Sequence, residues 1–160
     1  MPALALGSDI PVRSERLDAR VSSLSTYVPP RADPDAPPVV LIAEDHEDSR
    51  DALSTLLDAL GYRVLVAGNG AEAVEVARAA RPDLILMDMM MPAVDGFQAT
   101  RTLRADADFR QVPIIAITAM EGAREAVFEA GCSDVVVKPI DIRLFLSRLQ
   151  GWLTPTNGST

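Results

Sequence analysis

The sequence predicts an α/β fold, a five-stranded parallel sheet with helices packed against it. Two observations carry this. Between residues 38 and 153, strand-like apolar runs alternate with helix-like amphipathic runs five times. The connections between them are short, which favours strand–helix units wound in one sense.

Each element has its own signal. "VVLIA" (39–43) is continuously apolar, as a strand buried on both faces should be. "SRDALSTLLDAL" places Leu53, Leu56, Leu57 and Leu60 on one helical face, and Gly61 stops it. "YRVLVA" (62–67) is the second strand, and "AEAVEVARAA" a helix ended before Pro82. "DLILMD" (83–88) is the third strand, followed by the helix "GFQATRTLRA". "VPIIAIT" (112–118) is the fourth strand, and "AREAVFEA" a helix capped by Gly131. "DVVVK" (134–138) is the fifth strand. "DIRLFLSRLQGWL" closes the pattern as a helix with Asp141 at its start.

Composition narrows the function. The chain has 160 residues, 48% of them apolar, and a formal net charge of −8. That charge disfavours nucleic acid and anionic membrane surfaces as partners. A lone cysteine, Cys132, excludes an internal disulfide and fits a reducing, cytoplasmic setting, where it reads as a small filler. No apolar run approaches the about 20 residues needed to cross a bilayer. Residues 1–37 read as an N-terminal extension, 38–153 as the folded domain and 154–160 as a polar tail. Within the extension, "VPPRADPDAPP" (28–38) is an extended linker. Leu17, Val21, Leu24 and Val28 recur before it at helical spacing. Two readings stand for them: a frayed tail, or a helix for docking or homodimerisation.

Ligands of open parallel sheets bind outside the carboxyl ends of the strands. Here the first strand ends in Glu44-Asp45, the third in Asp88, the fourth in Thr118 and the fifth in Lys138-Pro139. Three carboxylates, a hydroxyl and an amine thus gather at one edge. Oxygen ligands without nearby histidine or cysteine partners favour a hard cation such as Mg²⁺. His46 reads as a surface residue, since the chemistry does not need it. The set supports phosphoryl transfer onto a carboxylate, with cation, lysine and hydroxyl neutralising the phosphoryl oxygens.

At these residues the chain resembles the receiver domains of two-component response regulators. The stretches are "AEDHEDSR", "LILMDMMMPAVDG", "IIAITA" and "VVKPI". Their intervals are 43 residues from Asp45 to Asp88, 30 to Thr118 and 20 to Lys138. The resemblance implies a doubly wound, flavodoxin-like sheet of order 2-1-3-4-5 with five helices. It implies Asp88 as phospho-acceptor. Mg²⁺ would be held by Glu44, Asp45, Asp88 and the backbone carbonyl of Met90. Thr118, the Ala119 amide and Lys138 would bind the phosphoryl group. Pro92 and Gly96 would shape the loop after Asp88, and the bond before Pro139 would be cis. The implied partners are a histidine kinase or histidine phosphotransfer protein, and a downstream protein contacting residues 121–150. Since only a polar tail follows residue 153, the expectation is a stand-alone bacterial receiver that signals by protein contact and is no metabolic enzyme. A phosphorylation-independent adaptor or a phosphate sink is the alternative.

Three features depart from the family pattern. Val135 occupies the switch position where receivers often carry an aromatic residue. The Thr118–Lys138 interval is about two residues short, a difference assigned to the loop "AMEGA". Met90 and Met120 stand where side chains flank the route of the attacking water, which points to slow self-dephosphorylation. Met89 and Met91 read as packing. Two rivals fit less well. Gly68-x-Gly70-x-x-Ala73 with Asp88 mimics a dinucleotide-binding fingerprint, but leaves Glu44, Asp45, Thr118 and Lys138 unexplained. A haloacid-dehalogenase-type hydrolase wants a second aspartate where Met90 stands.

Overall fold

The computed structural model describes residues 35–153. The amphipathic stripe at residues 17–28 and the polar tail lie outside them. The elements run β1 (Val39–Ala43), α1 (Glu47–Ala59), β2 (Arg63–Ala67), α2 (Gly70–Ala80) and β3 (Leu84–Asp88). They continue through α3 (Gly96–Arg104), a 3-10 turn (Ala107–Phe109), β4 (Ile114–Thr118), α4 (Arg124–Ala130), β5 (Asp134–Val137) and α5 (Ile142–Leu153). All strand pairs are parallel, in the expected order β2-β1-β3-β4-β5.

Side chains alternate across each strand, so a continuously apolar strand feeds two cores. Leu41, Ile85, Met87, Ile114 and Ala116 face one side, with Ala73 and Ala77 of α2, Leu103 of α3 and Val127 of α4. Val40, Ile42, Leu84, Leu86 and Ile115 face the other, with Leu53 and Leu57 of α1 and Phe145 and Leu149 of α5. The central strands β3 and β4 are buried throughout. Their tips, Asp88 and Thr118, therefore leave the sheet at its most enclosed point.

Some boundaries differ from expectation. Leu60, placed above on the apolar face of α1, is 50% exposed; it is the residue that ends the helix, and Leu53 and Leu57 carry the packing. Tyr62 precedes β2 because its amide closes the turn onto Leu57. Asp83 precedes β3, and its carboxylate accepts the Val39 amide at 2.7 Å. The 3-10 turn was not anticipated; Asp106 starts it by accepting the Asp108 amide.

Candidate functional site

The register places the site. Ala43 pairs with Met87, Asp88 with Ile117 and Thr118 with Val137, so four strands end together. One residue past β1, Glu44 is buried; Asp88 and Thr118 are nearly inaccessible. Lys138 follows β5 and reaches back across the edge. Its ammonium lies 3.1 Å from Glu44 Oε1 and 3.4 Å from Asp88 Oδ2. The Lys138–Pro139 bond is cis, as the resemblance implied.

Burial without full pairing sets the electrostatics. Desolvation pushes the Asp88 carboxyl up, and the neighbouring Glu44 adds to this. The Met90 amide, 3.0 Å from Asp88 Oδ1, and Lys138 oppose them, leaving about 6. Glu44 meets the same burial, but the His46 amide and Lys138 hold it below the ordinary range. Lys138 loses solvation too, and its two carboxylate partners more than restore it, so its pKa is raised. Asp45 Oδ1 is buried with no hydrogen-bond partner. Glu44, Asp45 and exposed His46 offer ligand atoms all within 4.8 Å of one another.

The loop after Asp88 is clamped by two close approaches. A Cβ on Gly96 would lie 2.3 Å from the Asp88 carbonyl oxygen, and one on Gly70 would lie 2.3 Å from that of Val94. The Gly70 amide donates to that Val94 oxygen at 2.9 Å. This also answers the dinucleotide rival. The start of α2 is covered by the Asp88 loop, and Asn69 caps the helix by accepting the Glu72 amide. Met89 and Met91 are buried in the core, as expected, whereas Met90 is 58% and Met120 40% exposed. Pro92 is exposed in the loop, and Ala119 is exposed where β4 gives way to the next loop. Thr118 Oγ1 accepts the Met120 amide at 2.9 Å. Val135 is buried on β5, opposite Ala116.

Sequence reasoning missed two supports of the site. Arg50 of α1 donates to the Glu44 carbonyl at 3.2 Å, and the His46 amide donates to the Glu44 carboxylate. Only the position of Arg50 one turn into a helix that starts beside the site hinted at the first.

Residues 40–150 match the response regulator receiver domain family. The polar-differentiation response regulator DivK of Brucella anthropi is 39% identical over 119 residues, covering 73% of this chain and 97% of that protein. The receiver domain of a sensor histidine kinase from Pseudomonas aeruginosa PAO1, solved with a magnesium ion coordinated in its active site cleft, is 39% identical. It superposes with a TM-score of 0.69 over 74% of this chain and 98% of that one. The chemotaxis response regulator CheY4 of Vibrio cholerae gives 0.69 at 29% identity, over 73% of this chain and 99% of that one. The chain belongs to the response regulator receiver family, and carries the five-stranded receiver fold with five helices. No described helix is long and apolar enough to cross a membrane.

Proposed function

We propose that this receiver takes a phosphoryl group on Asp88 from a histidine kinase or histidine phosphotransfer protein, and passes the signal on by protein contact. The observation that carries the reading is Asp88 itself: a buried carboxyl at the tip of a central strand, 3.4 Å from a lysine, with its pKa raised to about 6. Such a group is poised for chemistry rather than for stability.

The donor set fits Mg²⁺. The carboxylates and the Met90 carbonyl offer oxygen, with the exposed His46 ring 3.8 Å from Asp45 Oδ1, and that buried oxygen accepts no hydrogen bond, which leaves it an acceptor for a cation. Asp45 and Asp88 would hold the ion, with the Met90 carbonyl, and Glu44 would assist. When bound, Mg²⁺ supplies positive charge that lets an anionic phosphoryl donor approach an acidic pocket.

The remaining steps belong to the chain's own residues. A carboxylate oxygen of Asp88 attacks phosphorus as the bond to the donor's imidazole nitrogen breaks, and the imidazole leaves with the electron pair. Lys138 swings from Glu44 toward the new phosphoryl oxygens. The Thr118 hydroxyl and the Ala119 amide donate to them. Pro92 and Gly96 keep the Asp88 loop in place. At the switch position, Val135 is an aliphatic side chain already packed in the core, so any movement of Thr118 proceeds without an aromatic partner.

For output, the exposed apolar side chains Phe128, Val137 and Leu144 support a partner surface within residues 121–150. The DivK response regulators are matched along 94–97% of their length, which supports reading this domain as a response regulator. Treating the protein with Mg²⁺ and a small phosphodonor should add one phosphoryl mass, lost in Asp88→Asn. Labelling that survives in Asp88→Asn would overturn the assignment.

A further inference from the structure

The His46 side chain is 78% exposed, as a surface residue should be, yet its Nδ1 is turned toward the acids. It lies 3.7 Å from Glu44 Oε2 and 3.8 Å from Asp45 Oδ1. Both separations are longer than a hydrogen bond, so the ring approaches two carboxylates without bonding either.

The helix does not account for this ring. His46 is the N-cap of α1, where a short polar side chain ordinarily accepts a backbone amide. The His46 side chain makes no such bond. Its backbone amide donates to Glu44 Oε2 at 3.1 Å, and any residue but proline would supply that donor.

What the ring adds is a nitrogen ligand. One oxygen each from Glu44 and Asp45 and one ring nitrogen of His46 lie within 4.8 Å of one another. Atoms bound to one Zn²⁺ at about 2.0–2.2 Å stand about 3.0–3.6 Å apart. The two Nδ1 contacts are just beyond that range, and an exposed ring closes the gap by rotating. Asp45 Oδ1 is buried and accepts no hydrogen bond, so positive charge is what it lacks. The two Glu44 oxygens face different partners. Oε1 is 3.1 Å from the Lys138 ammonium, and Oε2 lies on the His46 side. A cation there reaches Oε2 while the lysine stays on Oε1.

The nitrogen also changes which cation is favoured. Mg²⁺ takes oxygen ligands and gains little from an imidazole. Zn²⁺ and its neighbours take imidazole and carboxylate together, with water in an open position.

We propose that Glu44 Oε2, Asp45 Oδ1 and His46 Nδ1 form a site for a borderline divalent transition metal, of which Zn²⁺ is the type case. The proposal rests on the Mg²⁺ reading above only in sharing Asp45 as a ligand. His46 gives the acidic edge a second class of cation, one that an all-oxygen set does not select.

His46 is the one histidine of the chain, so its imidazole signals need no assignment. With isotope-labelled histidine in the full chain, Zn²⁺ should shift the Nδ1 resonance more than that of Nε2, and Mg²⁺ should move neither. Calorimetry should show Zn²⁺ bound about tenfold or more weaker in His46→Gln, with Mg²⁺ affinity held within about twofold. Asp45→Asn should weaken both cations. His46→Gln keeps the backbone amide that holds Glu44, so its circular dichroism should match that of the unmodified chain. Equal Zn²⁺ affinity in His46→Gln, a shift confined to Nε2, or Mg²⁺ weakened as much as Zn²⁺ would each overturn the site. An unmodified chain that binds Zn²⁺ through Nδ1 but takes no Mg²⁺ would sink the Mg²⁺ reading and uphold this one.

Discussion

Two polar clusters of this protein show opposite designs. At the carboxyl edge, Glu44, Asp88 and Lys138 crowd two acids around one lysine, and Asp45 Oδ1 accepts no hydrogen bond. At the far edge, Arg104 of α3 is tied to neutral acceptors. Its guanidinium donates to the carbonyls of Gly131 at 2.7 Å and Val112 at 2.8 Å, to that of Phe109, and to Ser133 Oγ. The second cluster pins α3 to the turns around β4 and β5, and its cation is bonded on every side. The first gathers charge that burial opposes and leaves an acceptor open. The Arg104 cluster meets its one cation with neutral acceptors, whereas the Glu44–Asp88 cluster holds like charges together against burial.

The sharpest break of this contrast is Asp88→Asn. It should abolish phosphoryl labelling while the melting temperature holds or rises, because a like charge next to Glu44 is removed. Arg104→Ala should do the reverse. Leaving three carbonyls without their donor should cost about 2–4 kcal/mol in denaturant unfolding, with the labelling rate of the folded fraction unchanged.

A third polar group tests the comparison by pH. Asp134 accepts from Arg148 and from Trp152 Nε1 at 2.9 Å. Burial alone would raise its pKa, but these donors win and lower it. A lowered folded-state pKa means stabilisation that is complete above the ordinary value of 3.8 and is lost as pH falls through the folded value. Asp134→Asn should therefore cost about 1–2 kcal/mol at pH 7 and progressively less in acid, read from unfolding curves across pH. The smallest effect concerns Met90 and Met120. Replacing both thioethers by polar groups, Met90→Asn with Met120→Lys, should speed loss of the phosphoryl group by roughly 3–10-fold, under about 1.4 kcal/mol of barrier. An unchanged decay rate would show that neither side chain hinders water.

Much of the site was legible because its residues sit at strand ends, and strand ends are marked by apolar runs that stop. Asp88 after Leu84–Met87 and Thr118 after Ile114–Ile117 needed no coordinates. The supports were harder. Arg50 bonds a backbone carbonyl six residues back, and no residue pattern distinguishes that arginine from any other on α1. Leu60 misled because helical periodicity continues past the residue where the backbone leaves the helix. Gly70 looked like half of a nucleotide fingerprint because a glycine signals close approach without saying what approaches; here it is the Val94 carbonyl.

By itself the sequence determined the number and type of elements, the parallel sheet and the residues that meet at its edge. Those follow from apolar periodicity and from where polar groups interrupt it, which are local properties. Tertiary structure alone decided how the charges are shared: Lys138 lies nearer Glu44 than Asp88, Asp45 keeps an oxygen that accepts no hydrogen bond, and the His46 ring turns Nδ1 to two carboxylates. These depend on angstrom-scale distances between side chains up to 94 residues apart in the chain. Coulomb and desolvation energies vary steeply over such distances, and a sequence does not contain them.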